Sequence, residues 1–323
     1  MSTILPTRSG GPEIAPEATP DSPTLTPEAN RTRRRLAQAV AFLTPPALVA
    51  IAAVGLWYLL TYLVLTGSQR LLLPPAHEVV RDGLLTWKFL SVILGGLWST
   101  TQVTLFGLGL AIVLGTGLAT LMSQARWLER TIFPYAVMVQ AVPIVAIVPL
   151  LSLWFGRNYA SRVVVTVIIS LFPIITNTLF GLRSVDRSQH DLFTLHGAGR
   201  WTRLRKLQFP SAMPAIFTGL RIAAGLAVIG AIVGDFFFRQ GNPGIGRLLS
   251  TYQLRLQADQ MIVAIFFSSL LGLALFTFVG SAGHRATRTW HQSTRSPVGG
   301  EDPLDRKKGP RQNSADQRRI TGR

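Results

Sequence analysis

The sequence predicts an all-α membrane protein of about six spanning helices, with a cytoplasmic helix in the loop between spans 4 and 5. Three observations carry this reading. Uncharged runs occupy 36–69, 89–125, 131–156, 163–182 and 260–284, each as long as the roughly 20 apolar residues that cross a bilayer. A sixth stretch, 214–238, is broken by Arg221 and Asp235 but is strongly apolar from Ile222 to Val233. With the N-terminus inside, 23 of the 32 Lys and Arg fall in cytoplasmic segments, the bias that sets membrane orientation. Both termini are therefore expected in the cytoplasm.

The organisation that follows is a basic tail over 1–40, a transmembrane domain over 41–285 and a second basic tail over 286–323. The first thirty residues are rich in Pro, Thr, Ser and Glu and lack an apolar core, so they read as a disordered tail and not as a cleaved signal. After span 1, Leu73-Pro74-Pro75 opens an external segment in which Ala76 to Leu85 has the pattern of a short amphipathic helix. Span 2 carries Gly107, Gly109, Gly115, Gly117 and Ala119, small residues that would let another helix approach closely. Pro143 and Pro149 interrupt span 3, and Pro173 interrupts span 4. Such prolines free carbonyls that neighbours or a water-filled cavity must satisfy, or they leave a plain kink.

The loop after span 4 holds six positive charges from Arg183 to Lys206. Ser188 to Leu195 should be helical, with Ser188 or Asp186 as its cap, and Gly197 should end it in the left-handed conformation. A second short helix is expected from Trp201 to Leu207. There Trp201, Leu204 and Leu207 would form one apolar side, suited to a partner's cleft or equally to lipid headgroups. Pro210 precedes span 5. At the far end of that span, Asp235 is followed by Phe236-Phe237-Phe238-Arg239. A carboxylate at the membrane boundary is a functional candidate, and an ion pair with Arg239 at i,i+4 is the plainer role. Gly241-Asn242-Pro243-Gly244-Ile245-Gly246 reads as an external turn, either a connector or a contact for a soluble partner.

Composition removes several classes of function. The net charge of +17 could attract nucleic acid, but the excess sits in tails and loops flanking the spans, where orientation and anionic lipid explain it. There is no cysteine, so disulfides and thiolate metal sites are excluded. His77, His190, His196, His284 and His291 show no ligand spacing with carboxylates, so no metal is expected. None of the four lysines follows a glycine, so the phosphate-cradling loop of a P-loop ATPase is absent. The chain then moves a solute with energy supplied elsewhere, or it is a gradient-driven carrier or channel, or it is a membrane scaffold or assembly factor with partners but no solute flux. A carrier should keep ionisable residues inside its spans, and only Arg221 and the boundary Asp235 qualify.

At these residues the chain resembles the integral membrane subunits of binding-protein-dependent ABC importers. That family's cytoplasmic loop carries Glu-Ala-Ala, three residues, Gly, nine residues, then Ile-x-Leu-Pro. Here Asp191, Gly197, Leu207, Phe209 and Pro210 fall at the matching spacing, while Leu192 and Phe193 replace the two alanines. The similarity covers about 45–285 and continues through Gly197-Ala198-Gly199-Arg200-Trp201 and Gly219-Leu220-Arg221. Leu72 to Pro75, Val142-Pro143-Ile144 and Trp154-Phe155-Gly156 look most like the branch that imports sulfonates, taurine, nitrate and thiamine- or riboflavin-related vitamins.

The resemblance implies a permease subunit in a prokaryotic inner membrane that forms the pathway with a second permease copy. It implies two ATPase subunits engaging a coupling helix around Asp191, Leu192, Phe193, Gly197, Ala198, Trp201, Leu207, Phe209 and Pro210. An external solute-binding protein would deliver substrate. ATP and Mg would be used by the partner, with no cofactor on this chain. Asp235, Phe236, Arg239, Pro143 and Pro149 are the candidate pathway or external gate.

Overall fold

The computed structural model describes residues 44–238 and 240–287. The tail over 1–40, nearly all of 286–323, and Arg239 lie outside them. The described chain falls into two units that divide after Gly67. In the first, helix α1 (Thr44–Val64) has a mean hydropathy of 2.2. Pro45 and Pro46 stand in its first turn, where N–H groups have no helical partner to lose. Its last residues, Leu60–Val64, widen into a π-turn closed by the Leu65 N–H on the Leu60 carbonyl at 3.1 Å.

In the second unit, α2 comprises Ala76–Glu78 running on as a wider turn over Val79–Leu84. This is the short amphipathic helix expected there, and it starts where Pro75 holds an extended backbone. Helix α3 (Trp87–Gln124) has 38 residues, about 57 Å at 1.5 Å per residue, so it extends beyond a hydrocarbon core of about 30 Å.

Span 3 is not one helix. Helices α4 (Arg126–Ala141) and α5 (Ile144–Phe155) meet at an angle of 104° across Val142-Pro143. That exceeds any plain kink, and it follows from Pro143 forcing its predecessor out of the helical region: Val142 has φ −74° and ψ 129°. Pro149 lies within α5 without breaking it.

Span 4, helix α6 (Tyr159–Arg183), runs unbroken through Pro173, contrary to the expected interruption. The ring deletes one backbone donor. Packing holds the helix together: Pro173 is buried, and a side chain at Gly219 would come within 2.7 Å of its carbonyl oxygen. Asn177 Nδ2 also donates to that oxygen at 2.8 Å.

Helices α7 (Arg187–Leu195) and α8 (Arg200–Arg203) follow. The expected separate helix from Trp201 to Leu207 does not exist as such. Helix α8 continues through a π-turn, Leu204–Gln208, into α9 (Phe209–Phe237), and Arg200–Phe237 forms one 38-residue helix. Neither Arg221 nor Pro210 interrupts it; Pro210 follows directly on the wider turn Leu204–Gln208. Helix α10 (Ile245–Leu254), which the sequence did not announce, and α11 (Ala258–Thr287) complete the unit.

Helix α6 is central, with α3 and α9 against it and α10 and α11 against α9. Lipid is as apolar as leucine, so hydrophobicity alone does not join helices here and close packing must. The α9 row Ala223, Ala227 and Ala231 is fully buried at four-residue spacing. A Cβ at Gly107 or Gly115 would lie 2.6 Å from Thr166 or 2.8 Å from Ile174, so only glycine fits the α3–α6 contact. Ala119 is fully buried, while Gly109 and Gly117 meet nothing within 4 Å, so three of the five expected small residues are used.

Candidate functional sites at the two ends of the bundle

The loop between α6 and α9 is stiff and carries an uncovered apolar surface. Asp186 is the cap of α7 as expected, although its side chain makes no capping hydrogen bond, and Ser188 lies inside the helix. Gly197 takes φ 64°. Its N–H donates to the Thr194 carbonyl, and the Ala198 N–H donates to that of Phe193, both at 2.9 Å. This is the paired-bond ending that a left-handed glycine permits. Arg203 Nε then bonds the Ala198 carbonyl at 2.9 Å, tying the turn to α8.

No residue of α7 is buried. Leu192, Leu195 and Trp201 are 53%, 85% and 73% exposed, while Phe193 and Ala198 are half-buried and Asp191 is exposed. The stripe expected from Trp201, Leu204 and Leu207 is split. Leu204 packs with Leu182, Ala212 and Ile216 inside the bundle, with Phe209 alongside; Leu207 is buried as well, and only Trp201 faces outward. The reason is that the helix continues into α9, so its inner side is covered by α6. At the same end, Arg183 of α6 pairs with Glu129 of α4.

At the opposite end, Asp235 is 2.9 Å from the guanidinium of Arg162 on α6, and both side chains are almost fully buried. Arg162 has further partners. Nη1 donates to the Asn242 carbonyl at 3.0 Å, and Nη2 to those of Phe238 and Gln240 at 3.1 and 2.6 Å. Asp235 Oδ2 accepts the Arg247 N–H at 2.8 Å, and Thr100 Oγ1 accepts the Ile245 N–H at 2.9 Å. Arg247 and Ile245 stand in the first turn of α10. Asp235 therefore caps, with a negative charge where the helix dipole favours it, a helix that begins ten residues downstream.

The expected external turn, 241–246, is thus a seam held down on α3, α6 and α9. A Cβ on Gly246 would sit 2.2 Å from the Ile232 carbonyl oxygen, which excludes any other residue. Phe238 is fully buried against Val148 and Leu151 of α5 and Val165 of α6. The seam is in this way joined to the helix that follows the Pro143 break. Phe236 is half-buried beside it, while Pro143 and Pro149 are exposed and do not approach the pair.

Sequence reasoning missed Arg162, counting it among external loop charges. Two signals pointed to it: Asn158 caps α6, accepting the Ser161 N–H at 3.3 Å, which puts Arg162 in the helix, and antiparallel spans 4 and 5 then carry opposite charges at the same end. Arg239 was simply nearer in sequence.

A bundle of long apolar helices with one broken span, a stiff polar loop at one end and a buried charge seam at the other defines a multi-pass transport subunit. The family model for the binding-protein-dependent transport system inner membrane component matches residues 107–288, and the chain belongs to that family. It is the permease subunit of an ATP-driven importer of the inner membrane, which sets aside the gradient-driven carrier. Formylaminopyrimidine transport permease protein ThiX of Halalkalibacterium halodurans is 35% identical over 234 residues, 72% of this chain and 91% of that protein. Riboflavin transport system permease protein RibX of Chloroflexus aurantiacus is 35% identical over 158 residues, 49% of this chain and 58% of that one. Among solved structures, a chain of the MetNI methionine ABC transporter in an inward facing conformation shares the fold. Its TM-score is 0.53 at 18% identity, over 63% of this chain and 98% of that one.

Proposed function

We propose that α7 is the element through which this permease takes up the motion of a separate ATPase. Two copies of that ATPase would bind the α7 end of the assembly, and ATP and Mg would belong to them. The observation that carries this reading is the exposure of Leu192, Leu195 and Trp201 on a loop whose geometry is fixed by Gly197. A rigid element that a partner can bias is what coupling requires. The distribution of Lys and Arg supports a cytoplasmic position for this end and for both termini. A second permease copy completes the pathway, and an external binding protein delivers solute to the face held by Arg162 and Asp235. The solute is a small heterocyclic vitamin or vitamin precursor, a reading supported by the similarity to ThiX and RibX.

The test is purification of the tagged chain from its native membrane in mild detergent, with identification of what accompanies it. A stoichiometric P-loop ATPase that is lost from Gly197→Asp or Trp201→Ala variants supports the reading. ATP-driven uptake that survives Gly197→Asp, with the protein normally inserted, overturns it.

A further inference from the structure

Arg221 has no part in either end of the bundle. Among the described residues it has no carboxylate partner, and its guanidinium carbon lies 4.0 Å from the centre of the Phe276 ring. It is exposed, on a helix that crosses the membrane. An arginine left facing hydrocarbon is costly, so something polar or anionic must meet it.

Its depth limits the candidates. A hydrocarbon core of about 30 Å measured back from Phe237 spans about 20 residues and ends near Phe217. Arg221 is about one helical turn inside that limit, within reach of the interface through its flexible stem. It opens onto a groove of about 230 Å³ between α9 and α11, lined also by Thr218, Gly280, His284 and Thr287. The helices run antiparallel here: Gly283 faces Phe217 and Gly280 faces Arg221. The groove therefore runs toward the α7 end, where α11 presents His284 and Arg285. Gly280 keeps it open, because a Cβ there would lie 3.2 Å from Arg221 Nε.

We propose that this groove binds the phosphate of an anionic phospholipid in the leaflet on the α7 side, with Arg221 as its anchor. The planar guanidinium matches phosphate oxygens in a two-point contact. Thr218 and Thr287 also line the groove, their hydroxyls donating to the Pro214 and Gly283 carbonyls of their own helices at 2.9 Å, and Phe217 forms a wall that suits an acyl chain. Basic recesses between helices at this depth are the physical form of a headgroup site. The inference depends on membrane insertion alone and not on the role of α7.

The experiment uses the full chain in uncharged detergent, with phosphatidylglycerol or phosphatidylcholine added and retention read by native mass spectrometry. Wild type should retain phosphatidylglycerol over phosphatidylcholine. Arg221→Gln should weaken that retention about five- to tenfold, Arg221→Lys, which keeps the charge but not the two-point contact, should fall between Arg221→Gln and wild type, and Gly280→Leu should lose it by filling the groove without changing charge. Equal retention of both lipids by wild type overturns the proposal, as does unchanged phosphatidylglycerol binding in Gly280→Leu, which also serves if Arg221→Gln does not fold. Inorganic phosphate is the last arm. Binding of phosphate at millimolar concentration with no selective lipid retention would make the ligand a free anion and overturn the lipid assignment.

Discussion

Asp235→Ala removes one half of a buried ion pair and leaves the other half in place. Arg162, 3% exposed in its side chain, would keep its three carbonyl partners but lose the carboxylate that pairs with it, and α10 would lose its cap. Removing one partner of such a pair costs about 3–5 kcal/mol, and loss of the cap adds about 1 kcal/mol. At roughly 2–4 °C per kcal/mol for a domain of this size, the pair alone corresponds to a fall of about 6–20 °C in the unfolding midpoint of the detergent-purified chain. The double variant Asp235→Leu with Arg162→Met leaves no buried charge, so it should be less damaging than the sum of the single changes by more than about 1 kcal/mol. Backbone amides of 240–247 should exchange hydrogen faster in Asp235→Ala, because they hang from the seam. A midpoint within 1 °C of wild type, or strict additivity of the two substitutions, would refute the assignment of this pair as the clamp on the α9–α10 connection.

Other substitutions separate packing from surface charge. Gly246→Ala places a methyl group 2.2 Å from the Ile232 carbonyl oxygen. It should destabilise by about 1–3 kcal/mol or more, seen as a lowered melting point with faster proteolysis near 241–247. Gly230→Val brings a side chain to 2.8 Å from the Thr166 Cα and should lower the yield of folded protein in detergent by forcing α6 and α9 apart. Arg183→Ala breaks the pair with Glu129, whose side chains are 38% and 24% exposed, and should change the melting point by the equivalent of no more than about 1 kcal/mol. Gly197→Val puts a β-branched residue at φ 64°, costing about 1–2 kcal/mol locally. It should disturb ATP-dependent uptake far more than melting, because α7 contributes nothing to the buried core.

Much of this was legible along the chain. Six apolar stretches, the glycine that closes α7, and the amphipathic segment after Pro75 all depend on local composition and backbone geometry, which a linear reading captures. Other features turned on neighbours. Pro143 and Pro173 look alike, each inside an uncharged run, yet one breaks its span by 104° and the other lies within a continuous helix. The difference is that Pro173 is clasped by α9 at Gly219, whereas Pro143 is exposed. Likewise Trp201, Leu204 and Leu207 share one side of a helix by spacing, but the fold buries only two of them.

Charge pairing shows the same division. A carboxylate at the end of span 5 could be recognised as significant from residue type and depth alone, since burying a lone charge there is unfavourable. Its partner could not be chosen locally, because Arg239 at i,i+4 and Arg162 some seventy residues away are both available to an antiparallel helix pair. Only the packing of α6 on α9, set by small residues that bring the backbones together, puts the Arg162 guanidinium at 2.9 Å and turns a boundary aspartate into the cap of a helix that follows it. Residue chemistry and periodicity decide which segments enter the membrane and where the chain turns. Which side chains then meet is a property of helix contacts between residues far apart in sequence, and that was set by the tertiary structure.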